Sequence, residues 1–159
     1  SESLSAAEGL LPIITAARVN LVAAEATERG WISADAKSLY EAGVKASFEQ
    51  WGAEDVDVYL ASDKVAYAGT KAQKLEKIAM QRWLSGYMAD GVEAWSDIRR
   101  LHMPVIEVGP AAVGITHIPY RMKYSGAIAA SNKKNYESAV SAAFAGTNDA
   151  EHRIWWDVK

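Results

Sequence analysis

Residues 74–104, KLEKIAMQRWLSGYMADGVEAWSDIRRLHMP, hold two helical patterns with a break between them. In the first, Leu75, Ile78, Ala79, Trp83, Gly86 and Tyr87 recur at i, i+3, i+4, i+8, i+11 and i+12, which predicts one apolar helical face. Thr70 and Gln73 stand just ahead with the T-x-x-Q spacing of a capping box, so the helix is expected to begin near Thr70. Ala89-Asp90-Gly91 breaks the pattern, and Val92, Trp95, Ile98 and Leu101 resume it. Pro104, which has no N–H to donate and disfavours helical geometry in the residue before it, is expected to end the second helix.

The polar residues of that second helix call for partners. Glu93 and Asp97 are like charges at i, i+4, an arrangement that weakens an isolated helix. Asp97 has Arg100 at i+3, and Arg99, with Arg82 from the preceding helix, can answer the two acids if the helices fold back on one another. The expectation is a partly buried network of Arg82, Glu93, Asp97, Arg99 and Arg100 beside Trp95, set against the plainer reading of a solvated charged face.

Working outward, Leu10, Ile13, Ile14, Ala17, Leu21, Ala24 and Glu28 predict a helix running to about Arg29, with Pro12 in its first turn and Gly30 past its end. Ser5 and Glu8 have capping-box spacing, but Gly9 and Pro12 follow so closely that a frayed lead-in is expected there. Ser33 reads as the N-cap of a second helix, with Asp35 in its first turn, carrying Ala36, Tyr40, Gly43, Ser47 and Trp51 on one face and ending at Gly52. The small residues Ala17, Ala24, Gly43 and Ser47 let these two helices approach closely as an antiparallel hairpin spanning 11–51. Residues 54–60 suggest a short helix, and the pair at 70–102 follows a polar connection. Residues 103–131 read as irregular, with Val105 to Val108 extended and Gly109, Pro110, Gly114 and Pro119 breaking regular structure. A last helix at 132–145 is capped by Asn132, carries Tyr136, Ala139, Val140, Ala143 and Phe144, and gives way to a tail at 146–159.

Gln81-Arg82-Trp83, then Glu93-Ala94-Trp95-Ser96-Asp97-Ile98-Arg99-Arg100 with Pro104 four residues on, resemble the C-terminal signature of the SusD/RagB family. Ala24 to Gly52, AEATERGWISADAKSLYEAGVKASFEQWG, resembles the hairpin that precedes that signature in one branch of the family. Tyr120 to Tyr124 and the ending Arg153-Ile154-Trp155-Trp156-Asp157 extend the likeness over nearly the whole chain. The resemblance implies a mainly α, SusD-like fold of tetratricopeptide-type hairpins with a long irregular segment and few or no short strands. It implies non-catalytic capture of oligosaccharides, or in some branches peptides, by a lipoprotein on the outer face of the bacterial outer membrane. Its implied partners are a SusC-type TonB-dependent transporter, the glycan, and an N-terminal part of the same protein. The 159 residues are accordingly expected to be a single C-terminal portion of a longer chain, since they begin with Ser1 and carry neither signal peptide nor lipidated cysteine.

Composition fits that reading without proving it. Half the residues are hydrophobic and 23% charged, with a net charge of -3, which is globular and lacks the basic footprint of a nucleic-acid binder. The absence of cysteine excludes disulfides and thiol chemistry but chooses no compartment. The apolar run from Leu10 to Ala17 contains Pro12 and is far shorter than the roughly 20 residues of a membrane span.

The remaining constellations are weak. Gly109 and Gly114 imitate a phosphate-binding loop, but Ile115 stands where its lysine belongs. His102, His117 and His152 show no ligand spacing, and Glu54, Asp55 and Asp57 lack the glycine and distal glutamate of a calcium loop. No catalytic residue, metal or cofactor is expected. Among the aromatics, Trp51, Trp83 and Trp95 lie on apolar stripes and read as structural. Trp31, Tyr59 and Tyr67 sit in connections, where ligand-contacting residues gather, and are the candidate glycan contacts. Two rival readings remain: a helical-repeat module that binds a protein through an exposed apolar groove, and an all-α hydrolase with a carboxylate pair facing a cleft.

Overall fold

The computed structural model describes residues 12–157, which form seven helices and no strand. The mainly α fold expected from the sequence is the fold observed. The chain divides into two compact units, Ser1–Pro104 and Val105–Lys159.

In the first unit, α1 (Ala16–Arg29) and α2 (Ala36–Trp51) form the antiparallel hairpin, α3 (Val56–Ala61) is a short turn of helix, and α4 (Lys71–Ser85) and α5 (Gly91–Leu101) complete the unit. α1 packs on both α2 and α4. The helix start differs from the sequence reading: Pro12 precedes the helix, and Thr15 caps α1 by accepting a hydrogen bond from the Arg18 N–H. Ile13 and Ile14, expected on its buried face, are 84% and 77% exposed, because the chain has not yet entered the helix that would turn them inward. The Leu10 end of that stripe and the Ser5 to Glu8 spacing lie outside the described residues.

Both hairpin helices stop as their glycines predict. Gly30 and Gly52 take left-handed backbone at φ 81° and 63°, and the N–H groups of the two residues past each end return to orphan carbonyls. The N-cap of α2 is Asp35 rather than Ser33. One carboxylate accepts the Lys37 and Ser38 amides, leaving Ser33 two residues outside. α4 begins at the Thr70–Gln73 capping box, with both reciprocal hydrogen bonds formed. α5 ends at Leu101, three residues before Pro104, where His102 turns left-handed at φ 55°.

The core consists of Leu21, Ala24, Tyr40, Val44, Val65 and Ile78, edged by Phe48, Tyr59 and Leu75 among others. The Tyr40 hydroxyl donates to the Val65 carbonyl at 2.8 Å, so the buried phenol carries no unmet polar group. The expected face of α4 needs correction. Ile78 and Ala79 are buried, but Gln81, Arg82 and Ser85 turn inward with them while Trp83 and Tyr87 face solvent.

In the second unit, α6 (Gly126–Ser131) lies inside the stretch expected to be irregular, nucleated by the Ser125 side chain. α7 (Lys133–Phe144) follows with Val140 and Phe144 buried. Arg121, 5% exposed, stacks its guanidinium 3.7 Å from the Phe144 ring and donates to the Asp149 carbonyl and the Asn148 side chain. Arg153 lies over the Tyr120 ring at 4.0 Å and pairs with buried Asp157 at 2.6 Å, which pins the tail. The adjacent tryptophans split, with Trp155 much more exposed than Trp156.

The hairpin depends on one missing side chain. A Cβ at Gly43 would lie 2.6 Å from Leu21 Cγ and 3.2 Å from the Ala17 carbonyl oxygen. Overpacking costs about 1–3 kcal/mol and exceeds the ~1 kcal/mol of helix propensity that alanine adds. Gly43→Ala is therefore expected to lower the melting temperature, by roughly 2–4 °C per kcal/mol for a chain of this size. An unchanged or higher Tm in thermal denaturation would contradict the close approach.

Candidate functional site

Four guanidiniums and four carboxylates alternate where α1, α4 and α5 meet. Glu25, only 4% exposed, sits at the centre. Its Oε1 accepts from Arg29 Nε and Arg100 Nη1, both at 2.8 Å, and its Oε2 from Arg82 Nη1 at 2.6 Å and Arg100 Nη2 at 2.9 Å. Arg82 reaches on to Asp97 Oδ2 at 2.6 Å, and Arg100 to Asp97 Oδ1 at 3.2 Å. At the outer edge Arg18 bridges Asp90 and Glu93, each at 2.5 Å.

Of the residues expected in a network, Arg82, Asp97 and Arg100 are brought together directly. Glu93 stands at the exposed rim, opposite Arg18. Arg99 stacks on the Trp95 ring at 3.6 Å. The central residue, Glu25, together with Arg18 and Arg29, is absent from the expected network. A signal was present: Glu25 follows Leu21 by four residues on an apolar stripe and has Arg29 four residues on.

Burial opposes the Glu25 charge. Hydrogen bonds from Arg100 and Arg29 and the charges of Arg100 and Arg82 outweigh it, holding the pKa at about 2 against an ordinary 4.5. Burial lowers the Arg82 pKa, with the Asp97 and Glu25 charges working the other way. The bond to Glu25 chiefly raises that of Arg100. Neither Glu93 nor Asp97 lines an arginine-free hollow, so the carboxylate pair a hydrolase would use is engaged elsewhere.

The three connecting aromatics have different surroundings. Tyr67 is built into the core edge: its hydroxyl donates to Glu28 at 2.6 Å, its ring lies 5.0 Å from that of Tyr40, and Lys74 sits over it. Burial, then the bond to Glu28, pushes the Tyr67 hydroxyl pKa upward. Trp31 is 68% exposed with Arg29 against its ring. Tyr59 packs on Phe48 at 5.1 Å and lines an open cavity of about 770 Å3. Asp63, Lys64, Glu76 and Lys77 line it too, as does Gln81, whose side-chain amide donates to the Tyr59 hydroxyl at 2.9 Å. Lys77 donates to the carbonyls of Asp63, Ala66 and Ala68, fixing the loop that forms one wall.

A second cavity, about 540 Å3, opens where α4 gives way to α5 and is walled by Trp51, Trp83, Leu84, Tyr87 and Met88. The Trp51 indole is held by its N–H donating to the Ser85 carbonyl at 3.3 Å and by the Tyr87 ring, edge-on at 6.2 Å. No described helix is long and apolar enough to cross a membrane.

The SusD-like family, described as starch-binding and associating with the outer membrane, matches residues 2–125. Solved structures carry the likeness further along the chain. A chitin-binding SusD homologue from Flavobacterium johnsoniae is 30% identical, with a TM-score of 0.75 over 92% of this chain and 36% of its own. A SusD homologue from Bacteroides fragilis is 27% identical, with a TM-score of 0.76 over 90% of this chain and 34% of its own. One from Parabacteroides distasonis is 31% identical, with a TM-score of 0.71 over 89% and 32%. The chain thus spans about a third of the length of these structures. No curated protein matches it.

Removing one partner of a buried ion pair costs about 3–5 kcal/mol, whereas an exposed pair contributes about 0–1 kcal/mol. Glu25→Gln is therefore expected to lower Tm sharply at neutral pH and Glu93→Gln to change it little. Because folding depresses the Glu25 pKa, its stabilisation is complete above pH 4.5 and is lost as pH falls toward 2. In acid denaturation, the stability gap between wild type and Glu25→Gln should close over that interval. A gap that stays constant would refute the assignment.

Proposed function

Because the chain belongs to the SusD-like family, we propose that it is the helical part of a non-catalytic protein that binds oligosaccharides at the bacterial surface. In this reading the protein holds glycan on the outer face of the outer membrane and delivers it to a TonB-dependent transporter of the SusC type. The observation that carries the reading is the likeness, in sequence and fold together, to a chitin-binding homologue over nearly the whole chain. A polymer of N-acetylated β-linked hexosamine is accordingly the first ligand to test.

The geometry supports binding rather than turnover. A hydrolase needs a carboxylic acid and a carboxylate facing substrate, and the acids clustered near Trp95 are each held by a guanidinium. Within this chain the Tyr59 cavity is the proposed ligand contact, because Asp63, Glu76 and Gln81 offer acceptors and Lys64 donors to sugar hydroxyls beside a phenol ring. Trp31 is a surface platform that can add a stacking contact. Tyr67 serves the core, since its hydroxyl and ring are already occupied.

The test is affinity electrophoresis of the full-length protein through gels containing glycol chitin, soluble starch or other polysaccharides. Retardation by glycol chitin without release of new reducing ends is the expected result. Unchanged mobility across the panel overturns the glycan reading, and liberated reducing ends overturn the non-catalytic one. For the transporter, a large β-barrel protein encoded by the neighbouring reading frame should co-purify from outer membranes.

A further inference from the structure

A pocket of about 10 Å3 lies where the ends of α2 and α4 and the turn before α5 come together with the start of α1. Its lining includes the polar and charged residues Thr15, Arg18, Gln50, Ser85 and Asp90. Gln50 stands in the last turn of α2, and its side-chain nitrogen is buried with no hydrogen-bond partner among the described residues. A buried N–H without an acceptor costs the full desolvation of the group, so such an atom calls for an explanation. We propose that a single ordered water sits in this pocket and links the Gln50 amide on α2 to the Asp90 carboxylate at the entry to α5.

Size and charge choose the occupant. The pocket volume is that needed for one water, and it is too small for a sugar or for the side chain of another segment. Arg18 and Asp90 belong to the same lining and pair at 2.5 Å, so both signs of charge are present and already matched. A cation would set a positive charge against the Gln50 N–H groups, and an anion would meet the Asp90 carboxylate. The pocket asks for a neutral group that accepts from an amide and donates to a carboxylate at once. Water does both.

The polar partners are in place. Asp90 gives one oxygen to Arg18 and makes no capping hydrogen bond to α5, so its carboxylate retains acceptor capacity. The Ser85 hydroxyl, on a residue only 5% exposed, donates to the Arg82 carbonyl at 2.9 Å and keeps its own lone pairs for a further donor. Gln50, Asp90 and Ser85 together offer the handful of bonds that a buried water needs. The link has a structural consequence. α2 supplies none of the charged groups of the Glu25 network, and a water between Gln50 and Asp90 ties it to the outer edge of that network. It also steadies the start of α5, a helix with no fully buried residue to hold it.

The experiment joins a crystal structure of the full-length protein, at a resolution that shows ordered water, to thermal denaturation of Gln50→Met. Methionine matches glutamine in length and in helix propensity, so the exchange removes the amide and little else. The expected structure has a water within about 3.2 Å of both the Gln50 amide and the Asp90 carboxylate in wild type, and none there in the variant. The expected Tm of Gln50→Met is lower by roughly 2 °C, the loss of one hydrogen-bonded link. The sign of that shift is diagnostic, because deleting an amide that had no partner relieves a cost and raises Tm. A Tm that rises or stays put overturns the proposal. So does a wild-type structure in which the Gln50 amide bonds directly to another segment with no water between them, a readout that decides the matter even where Gln50→Met fails to fold. None of these outcomes depends on glycan binding.

Discussion

A single carboxylate held inside the helical unit organises much of what surrounds it. Glu25 lies in the middle of α1 where water cannot reach it, a position that would neutralise an isolated acid. It stays charged because it accepts four hydrogen bonds from three arginines contributed by three helices. Those arginines in turn draw in Asp97, and Arg18 gathers Asp90 and Glu93 at the rim, so charges alternate from the core to the surface. α5 has no fully buried residue. Directional ion pairs, more than apolar burial, therefore set where it lies, and such pairs demand a particular geometry that sliding hydrophobic faces do not.

That demand reaches the surface through α4. Sinking Arg82 toward Glu25 and Asp97 fixes the rotation of the helix, and a helix turned to bury Arg82 and Ser85 presents Trp83 outward. The same rotation directs Lys77 and Gln81 to the Tyr59 cavity. One internal electrostatic choice thus shapes two hollows, one with charged side chains along its wall and one lined by aromatic rings. Under the proposed function, side chains held by a helix in this way would lose little freedom on binding a ligand.

The second unit uses the same device on a smaller scale. Arg121 is buried between the Phe144 ring and the acceptors of Asn148 and Asp149, and Arg153 ties Tyr120 to Asp157. Stacked guanidiniums replace some of the apolar area that a unit of few helices cannot supply. The flat, weakly hydrated Arg head makes this possible where lysine would not serve.

Local chemistry was legible in the chain itself: the Thr70–Gln73 box, the glycine ends of α1 and α2 and the short helix at α3 all depend on neighbours within a few positions, and the small residues Ala17 and Gly43 meet across a short hairpin turn. The resemblance carried by the tryptophan and arginine motifs named the family as well. Spacing alone could not say which side of α4 would be buried, because an apolar stripe through Trp83 and a polar one through Arg82 compete within the same turns. Only the folded chain settled that contest, by bringing Glu25 from 57 residues away to meet Arg82. A buried charge is tolerated where its partners converge, and convergence of distant segments is a property of tertiary structure that no local pattern encodes.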